Sequence, residues 1–212
     1  MLKINGMDLP TSLDEFLQPD EVALLVYDMQ VAITRQIKDR DLILRQVGRI
    51  LESARSAKVR TFFTRHMSLP THLMGSMQYR TAMAWQRTDD PARVKSPFLR
   101  DSPGFQIVPE LQPSEDEAVF DKITMSAFEG TPLSIALRDC GVRAVVLVGI
   151  ALEIGIEPTA RHAADLGFVP ILVRDACGHG NAEAAERSLQ SLAFSGDAII
   201  TEATPVCAAW SR

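Results

Sequence analysis

A carboxylate and an amine follow two short apolar runs of the sequence, and both side chains could transfer protons. Asp28 comes directly after the run Val22–Tyr27, and Lys122 lies two residues beyond Ala118–Phe120. An apolar environment raises the pKa of a carboxyl group, whereas a nearby ammonium lowers it. Opposed effects of this kind adjust a group for acid–base chemistry, so we interpret the two residues as a candidate catalytic pair. Asp28 could instead cap a loop, and Lys122 could be an ordinary surface lysine.

A turn bounded by two glycines is a second candidate for chemistry. Residues 149–155 read GIALEIG and lead into a helical segment that begins at Pro158. Backbone N–H groups at the start of a helix, with the helix dipole behind them, can bind an anion or an oxyanion. An ordinary strand–helix turn uses glycine for the same geometric reason, so the turn by itself supports either interpretation.

Apolar runs and helical patterns alternate along the chain and predict the elements that position these residues. Four nearly continuous, β-branched runs are typical of strands covered on both faces. They are Val22–Tyr27, Ala144–Ile150, Phe168–Val173 and Ala198–Ile200, and Val59–Thr64 and Ala118–Phe120 are weaker examples. Helical patterns cover 36–57, 131–141, 158–166 and 181–194. The alternation predicts an α/β fold with a doubly wound, mostly parallel sheet, which binds ligands at the carboxyl ends of its strands.

Length and composition are those of an ordinary globular protein. The 212 residues are 46% apolar and 23% charged, and we predict a single domain over residues 1–212. A net charge of −5 argues against the basic face of a nucleic-acid-binding protein. The sequence has neither a long apolar stretch nor a signal-peptide pattern, so we predict a cytoplasmic protein without a nucleic-acid or membrane partner. Its three cysteines lack the spacing of a disulfide framework.

The segment from residue 66 to residue 113 interrupts the alternation. It contains five prolines up to Pro109 and a stretch, Met74–Arg87, that favours a helix. Long irregular insertions in compact domains are usually functional, so we predict a lid or an oligomer-contact surface, with a solvated excursion as the alternative. Arg80, Trp85 and Arg87 lie within two helical turns, and this combination suits either a planar anionic substrate or a subunit interface.

Three ordered motifs resemble the isochorismatase-like, or cysteine hydrolase, superfamily. They are LLVYDMQ (24–30), FDKITMSAFEGTPL (120–133) and VVLVGIALEIGIEPTARHAADLGF (145–168), which VRDACG (173–178) follows. Together with the strand–helix frame they cover most of residues 20–205. The resemblance implies a three-layer α/β/α sandwich around a Rossmann-like sheet, assembled as a homodimer or a higher homo-oligomer.

The resemblance also implies roles for the candidate residues. Members commonly use an aspartate, a lysine and a cysteine, and Asp28 and Lys122 match the first two, whereas Gly155 stands at the cysteine position. Without that thiol, attack on an amide through an acyl-enzyme is closed. In the amidases a cis peptide precedes the residue that matches Ala151, so the implied oxyanion hole uses the N–H groups of Ala151 and Gly155. Glu153, in the same turn, could be a second acid or base.

A salt bridge between Glu153 and Arg161 is the alternative to that catalytic role. Substrate contacts are predicted for Gln30 and His66, together with the arginines and tryptophan of the insertion.

Nicotinamidase-like relatives bind a metal through a D-x-H motif, but this chain has His66 and Ser68 at those places. One imidazole does not make a metal site, so we predict no metal and no cofactor. His66 could equally be a buried, hydrogen-bonded histidine.

Isochorismatases resemble this chain in carrying glycine at the cysteine position. They cleave a vinyl ether by protonating its terminal carbon, after which water adds and the hemiketal collapses. The resemblance therefore favours C–O cleavage of a small carboxylated molecule, with Asp28 as general acid and Lys122 orienting the substrate or stabilising charge on oxygen. Ala151 and Glu153 replace a tyrosine and a histidine of those enzymes, which argues against isochorismate itself. The alternatives are C–N hydrolysis by activated water and a catalytically silent relative that binds a small molecule or a protein partner.

Overall fold

Strands and helices alternate along the chain, as its apolar pattern predicts. The computed structural model describes residues 1–211. The strands are β1 (Leu2–Ile4), β2 (Met7–Leu9), β3 (Val22–Tyr27), β4 (Arg60–His66), β5 (Ala118–Lys122), β6 (Ala144–Ile150), β7 (Val169–Gly178) and β8 (Ile199–Thr201). The helices are α1 (Leu13–Phe16), α2 (Val31–Thr34), α3 (Arg40–Ser56), α4 (Ser76–Gln86), α5 (Leu133–Asp139), α6 (Glu157–Asp165), α7 (Ala182–Ser195) and α8 (Ala203–Trp210). A π-helical turn, Leu152–Ile156, precedes α6.

Six strands form one parallel sheet in the order β5–β4–β3–β6–β7–β8. The two central strands, β3 and β6, are buried along their whole length and pair from Val22↔Ala144 to Tyr27↔Gly149. The chain winds outward from β3 in one direction and then from β6 in the other. The crevice at the carboxyl ends of β3 and β6 is therefore the switch point where doubly wound sheets bind ligands.

Helices cover both faces of this sheet. α3 and α8 pack on one face, and α5, α6 and α7 pack on the other. Successive residues of β3 alternate between the two cores, so that Val26 faces the α3 side and Tyr27 faces the α6 side. Burial on both faces explains why the strands read as continuous apolar runs. The predicted three-layer α/β/α architecture is confirmed.

Several elements differ from their predicted extent. β5 and β7 continue beyond their apolar runs to Lys122 and Gly178, because ladder pairing such as His66↔Lys122 extends through polar residues. The exposed antiparallel hairpin of β1 and β2 and the final helix α8 were not predicted. α8 is eight residues long and carries no charged side chain, so it lacks the polar face that marks an amphipathic helix.

The insertion at residues 66–113 contains α4 and several 3₁₀ turns. Every residue of α4 is exposed or half-buried, whereas Phe98, Phe105 and Leu111 farther along are buried. A wholly solvated excursion is therefore wrong for this segment, and the lid and the oligomer contact stay predictions. No helix within residues 1–211 has the length and apolar character needed to cross a membrane.

Candidate active site

Asp28 and Lys122 form a buried ion pair at the carboxyl edge of the sheet. The Lys122 Nζ lies 2.7 Å from Asp28 Oδ2, and each residue is 3% exposed. The Thr64 hydroxyl, at the adjacent strand β4, donates to the other carboxylate oxygen at 2.7 Å. Asp28 has a φ of 46°, in the left-handed region that few residues other than glycine adopt. Strained backbone of this kind clusters at functional sites, and here it turns the carboxylate toward both donors.

The Lys122 ammonium uses all three of its hydrogens within the protein. Besides Asp28 it donates to the Tyr27 hydroxyl at 2.8 Å and to the Thr124 carbonyl at 3.2 Å. Burial lowers the pKa of Lys122, and the charge of Asp28 opposes that effect. With its donors used in this way, Lys122 holds the carboxylate in place and has no hydrogen left to orient a substrate carboxylate, one of the roles predicted for it.

A cavity of about 530 Å³ opens onto the ion pair. Its lining includes most of the predicted site residues, namely Asp28, His66, Trp85, Arg87, Ala151, Glu153 and Gly155. Arg80 is not among the described residues that line it. A second, more apolar cavity of about 380 Å³ shares His66, Trp85, Phe98 and Met125 with the first. These dimensions suit a small molecule, with Arg87 available for a carboxylate.

Gln30 is not among the described residues that line the cavity, and its side chain connects two backbone segments. Its amide nitrogen donates to the carbonyls of His66 at 3.1 Å and Phe105 at 2.8 Å, and its oxygen accepts from the His66 N–H at 2.6 Å. The side chain is completely buried. Both amide hydrogens are thus used inside the protein, and a structural connection replaces the predicted substrate contact.

Glu153 belongs to the cavity lining and has one carboxylate oxygen without a hydrogen-bond partner among the described residues. Its Oε1 accepts from the N–H groups of Gly180 and Asn181, each at 2.8 Å. Its Oε2 is buried and has no hydrogen-bond partner within residues 1–211. Arg161 pairs instead with Glu157 and Asp197, so the predicted alternative of a Glu153–Arg161 salt bridge does not form. A buried acceptor without a donor costs free energy, which a donor on a bound ligand would recover.

The turn at residues 149–155 has the backbone form that the family resemblance implies, with one difference. The peptide bond between Ile150 and Ala151 is cis. The Gly155 N–H, however, donates to the Ala151 carbonyl at 2.9 Å within the π-helical turn. That N–H is therefore already used, and it is not free to bind an oxyanion as predicted.

His66 lines both cavities as a neutral ring. It makes edge contacts with Trp85 and Phe98, whose ring centroids lie 5.7 Å and 5.8 Å away. Burial lowers the pKa of His66 to about 4, against the opposing effect of the nearby Asp28 charge. The imidazole is therefore uncharged at neutral pH.

Acidification should destabilise the protein through His66. Between pH 6.5 and 4 the unfolded imidazole binds a proton that the folded one does not, so stability falls as the pH falls. The loss attributable to this residue should reach about 3 kcal/mol. Urea unfolding at pH 7 and pH 4 should show a smaller loss for His66→Phe, which keeps a ring between Trp85 and Phe98. His72→Phe, the matched change at an exposed histidine, should leave the pH dependence of stability unchanged. Equal losses of unfolding free energy between pH 7 and pH 4 in the original protein and both variants would contradict the prediction.

Cys177 lies away from the cavity. It is buried, its thiol donates to the Leu147 carbonyl at 3.6 Å, and burial raises its pKa well above the ordinary value. None of the described residues that line the cavity is a cysteine. Within residues 1–211 no group of three or more His, Cys, Asp or Glu side chains is arranged to hold a metal ion.

Two polar residues of the site were missed by the sequence reasoning. Thr64 lies inside the apolar run that predicts β4, and Tyr27 ends the run that predicts β3. A tyrosine directly before a candidate catalytic aspartate was the available signal. Neighbouring residues of a strand point to opposite faces, yet the Tyr27 and Asp28 side chains both reach Lys122.

Comparison with known proteins identifies the family. Residues 22–204 match the model of the isochorismatase domain. The chain belongs to the isochorismatase domain family. Nicotinamidase 3 of Arabidopsis thaliana is 33% identical to this isochorismatase-family chain over 178 residues, which are 81% of this chain and 80% of that protein. The ureidoacrylate amidohydrolase RutB of Acinetobacter baylyi is 24% identical over 176 residues, or 76% and 72% of the two chains.

A solved structure shows that the fold is shared. The crystal structure of a cysteine hydrolase from Pseudomonas syringae pv. phaseolicola matches with a TM-score of 0.78 at 21% identity, covering 91% of this chain and 93% of that one. The isochorismatase-family assignment and the α/β/α fold confirm the resemblance that the three motifs carry. Since the members of this family are hydrolases, the protein is a hydrolase.

Proposed function

We propose that this hydrolase cleaves a C–N bond of a small amide or ureido compound, with Asp28 as the base that activates water. The observation that carries the proposal is the pair of hydrogen bonds that Asp28 accepts from Lys122 and Thr64. In both bonds the carboxylate oxygens are acceptors, which is the role of a base that takes a proton from water. The family resemblance alone favours C–O cleavage by a protonated Asp28. The hydrogen bonds to Asp28 favour C–N hydrolysis instead, with Asp28 as the base.

The reaction proceeds through a tetrahedral intermediate. The water oxygen forms a bond to the carbonyl carbon, one water proton passes to Asp28, and the carbonyl π electrons move to oxygen. The carbonyl then re-forms, the C–N bond breaks, and the proton on Asp28 passes to the departing nitrogen. The products are an acid and ammonia or an amine, and Asp28 returns to its starting state. Lys122 stays an ammonium beside Asp28 throughout and takes no part in the proton transfers.

Two further features support water as the nucleophile and a nitrogen compound as the substrate. The described lining of the cavity contains no cysteine, so attack by a thiol has no source there. Relatives of this chain carry the names of a nicotinamidase and a ureidoacrylate amidohydrolase. Arg87 on the cavity wall suits a carboxylate elsewhere on the substrate.

Glu153→Gln should weaken substrate binding. The unpaired Oε2 is an acceptor to which an amide or ureido N–H of the substrate would donate, whereas the glutamine amide nitrogen is a donor. Losing one hydrogen bond to a charged group should raise KM about tenfold or more while the protein stays folded. Initial-rate kinetics and thermal unfolding measure the two effects. Glu183→Gln makes the same change on an exposed side chain of α7 and should alter neither. An unchanged KM for Glu153→Gln would show that Oε2 does not meet the substrate.

Vinyl-ether cleavage is the second candidate, and one observation favours it. Burial lowers the pKa of Lys122, whose nitrogen lies 2.7 Å from Asp28 Oδ2. A proton passed across this contact would give a neutral lysine and a protonated Asp28, which is the general acid that vinyl-ether cleavage requires. Water would then add to the oxocarbenium ion, and the hemiketal would collapse to a ketoacid and an alcohol.

A parallel product assay separates these functions. The purified protein and Asp28→Asn are incubated with a panel of small amides, ureido compounds and enol ethers, and ammonia, amine and pyruvate are quantified. Ammonia or amine that disappears in the variant supports C–N hydrolysis. Pyruvate that disappears instead overturns it in favour of C–O cleavage. Binding of panel compounds in thermal-shift assays without any product would indicate a silent relative and overturn both.

A further inference from the structure

Tyr27 fills the space that a side chain at position 155 would need. A Cβ atom placed on Gly155 would lie closer than 3.0 Å to the hydroxyl oxygen, Cζ and Cε1 of Tyr27. Cβ atoms in proteins do not approach other heavy atoms this closely. Gly155 itself has an ordinary helical φ, so its backbone does not demand glycine. The neighbouring tyrosine therefore accounts for the missing side chain at the position that the family resemblance assigns to a cysteine.

The Tyr27 hydroxyl is part of the same polar cluster as the ion pair. It accepts a hydrogen bond from Lys122 at 2.8 Å and donates its own hydrogen to the Met125 carbonyl. The Lys122 nitrogen also lies 4.2 Å from the centre of the tyrosine ring. Tyr27 and Asp28 both line the larger cavity, and both accept hydrogens from one ammonium.

We propose that Tyr27 is a catalytic residue which replaces the absent side chain at position 155 and, together with Asp28, holds the attacking water. A phenol oxygen has two lone pairs, and Lys122 uses one of them. The second can accept one water hydrogen while Asp28 accepts the other. The lone pairs of that water then point away from both acceptors, toward a substrate in the cavity. This inference rests on the proposed function, in which water is the nucleophile.

A nucleophilic role for the tyrosine itself does not fit its surroundings. Burial, together with the charge of Asp28, raises the pKa of Tyr27 well above its usual value. The hydroxyl therefore stays protonated, with its hydrogen directed to Met125. It positions water and forms no covalent bond to the substrate, and it would serve equally in the hydration step of vinyl-ether cleavage.

Removing the hydroxyl tests the catalytic role. Tyr27→Phe keeps the ring beside Gly155, and it should lower kcat about 10²-fold because the water loses one of its two anchors. KM should change less than about twofold, since the substrate itself keeps its contacts. Tyr79→Phe is the matched control, because the Tyr79 hydroxyl bonds the Thr71 carbonyl outside the lining of the larger cavity. A kcat per folded molecule equal to that of the original protein would overturn the catalytic role, whatever the effect on stability.

A thermal-unfolding cycle tests the spatial claim without any substrate. Gly155→Ala should lower the melting temperature by roughly 5–10 °C through overpacking. In a Tyr27→Ala background the same substitution should cost nothing further. Gly48→Ala is the control, because its added Cβ would meet only Leu111, at an ordinary 3.8 Å. Gly155→Ala with an unchanged melting temperature would overturn the claim that Tyr27 occupies this space.

The two tests also separate this inference from the proposed function. Absence of turnover on every panel compound overturns the proposed function and with it the catalytic half of the inference. The unfolding cycle then still tests whether Tyr27 occupies the space beside Gly155. Turnover that depends on Asp28 but not on the Tyr27 hydroxyl overturns the catalytic role of Tyr27 and leaves the proposed function standing.

Discussion

Asp28→Asn should lower kcat by about 10³-fold. Asparagine keeps the size of the side chain and accepts the left-handed backbone at this position, but it cannot take a proton from water. Its amide can still meet Thr64 and Lys122, so the cavity keeps its shape. Initial rates on the compound identified in the product assay, corrected for the folded fraction by circular dichroism, give the measurement.

A second carboxylate on the same sheet provides the control for this variant. Asp121 immediately precedes Lys122 but pairs with Arg65 and Arg100 outside the described cavity lining. Asp121→Asn should keep kcat within about twofold, because exposed and partly exposed ion pairs contribute little. Equal losses in the two variants would mean that Asp28 acts on structure alone, and full activity of Asp28→Asn would remove it from the mechanism.

Lys122→Met should lower the free energy of unfolding by about 3–5 kcal/mol. Methionine has a similar length, so the packing survives, but Asp28 is left as a buried carboxylate without its ammonium. Breaking a buried ion pair from one side leaves an uncompensated charge, which costs more than removing both charges. Urea denaturation at pH 7 measures the loss.

The double variant Asp28→Asn with Lys122→Met should regain much of that stability. The coupling energy between the two positions should be about 2–4 kcal/mol. The exposed pair of Glu183 and Arg187 on α7 is the comparison, and its cycle should give no more than about 0.5 kcal/mol. Additive losses at Asp28 and Lys122 would contradict a direct interaction between the two side chains in the folded protein.

Much of the architecture was predictable because the strands are covered on both faces. Continuous β-branched runs matched β3 and β6 at both ends, and the glycine-bounded helices fell close to their predicted positions. Elements whose stability depends on distant partners were harder to predict. The helix α8 packs Val206 and Trp210 against the core on the α3 side of the sheet, and the Trp210 indole donates to the Leu17 carbonyl near the other end of the chain. A contact between residues so far apart in the sequence leaves no local periodic signal.

Local sequence patterns predict that Asp28 and Lys122 lie at the carboxyl ends of strands in one parallel sheet, and the sequence has a glycine instead of a thiol at position 155. Those statements depend on residue type and strand order, which local patterns carry. Three features of the site follow from tertiary contacts. Backbone groups use the whole Gln30 amide, one oxygen of Glu153 has no donor among residues 1–211, and Tyr27 fills the space beside Gly155. These outcomes depend on which atoms meet across β3, β4, β5 and the turn before α6. A hydrogen-bonding atom is free or used only by virtue of its neighbours in space, and the linear order of residues does not specify those neighbours.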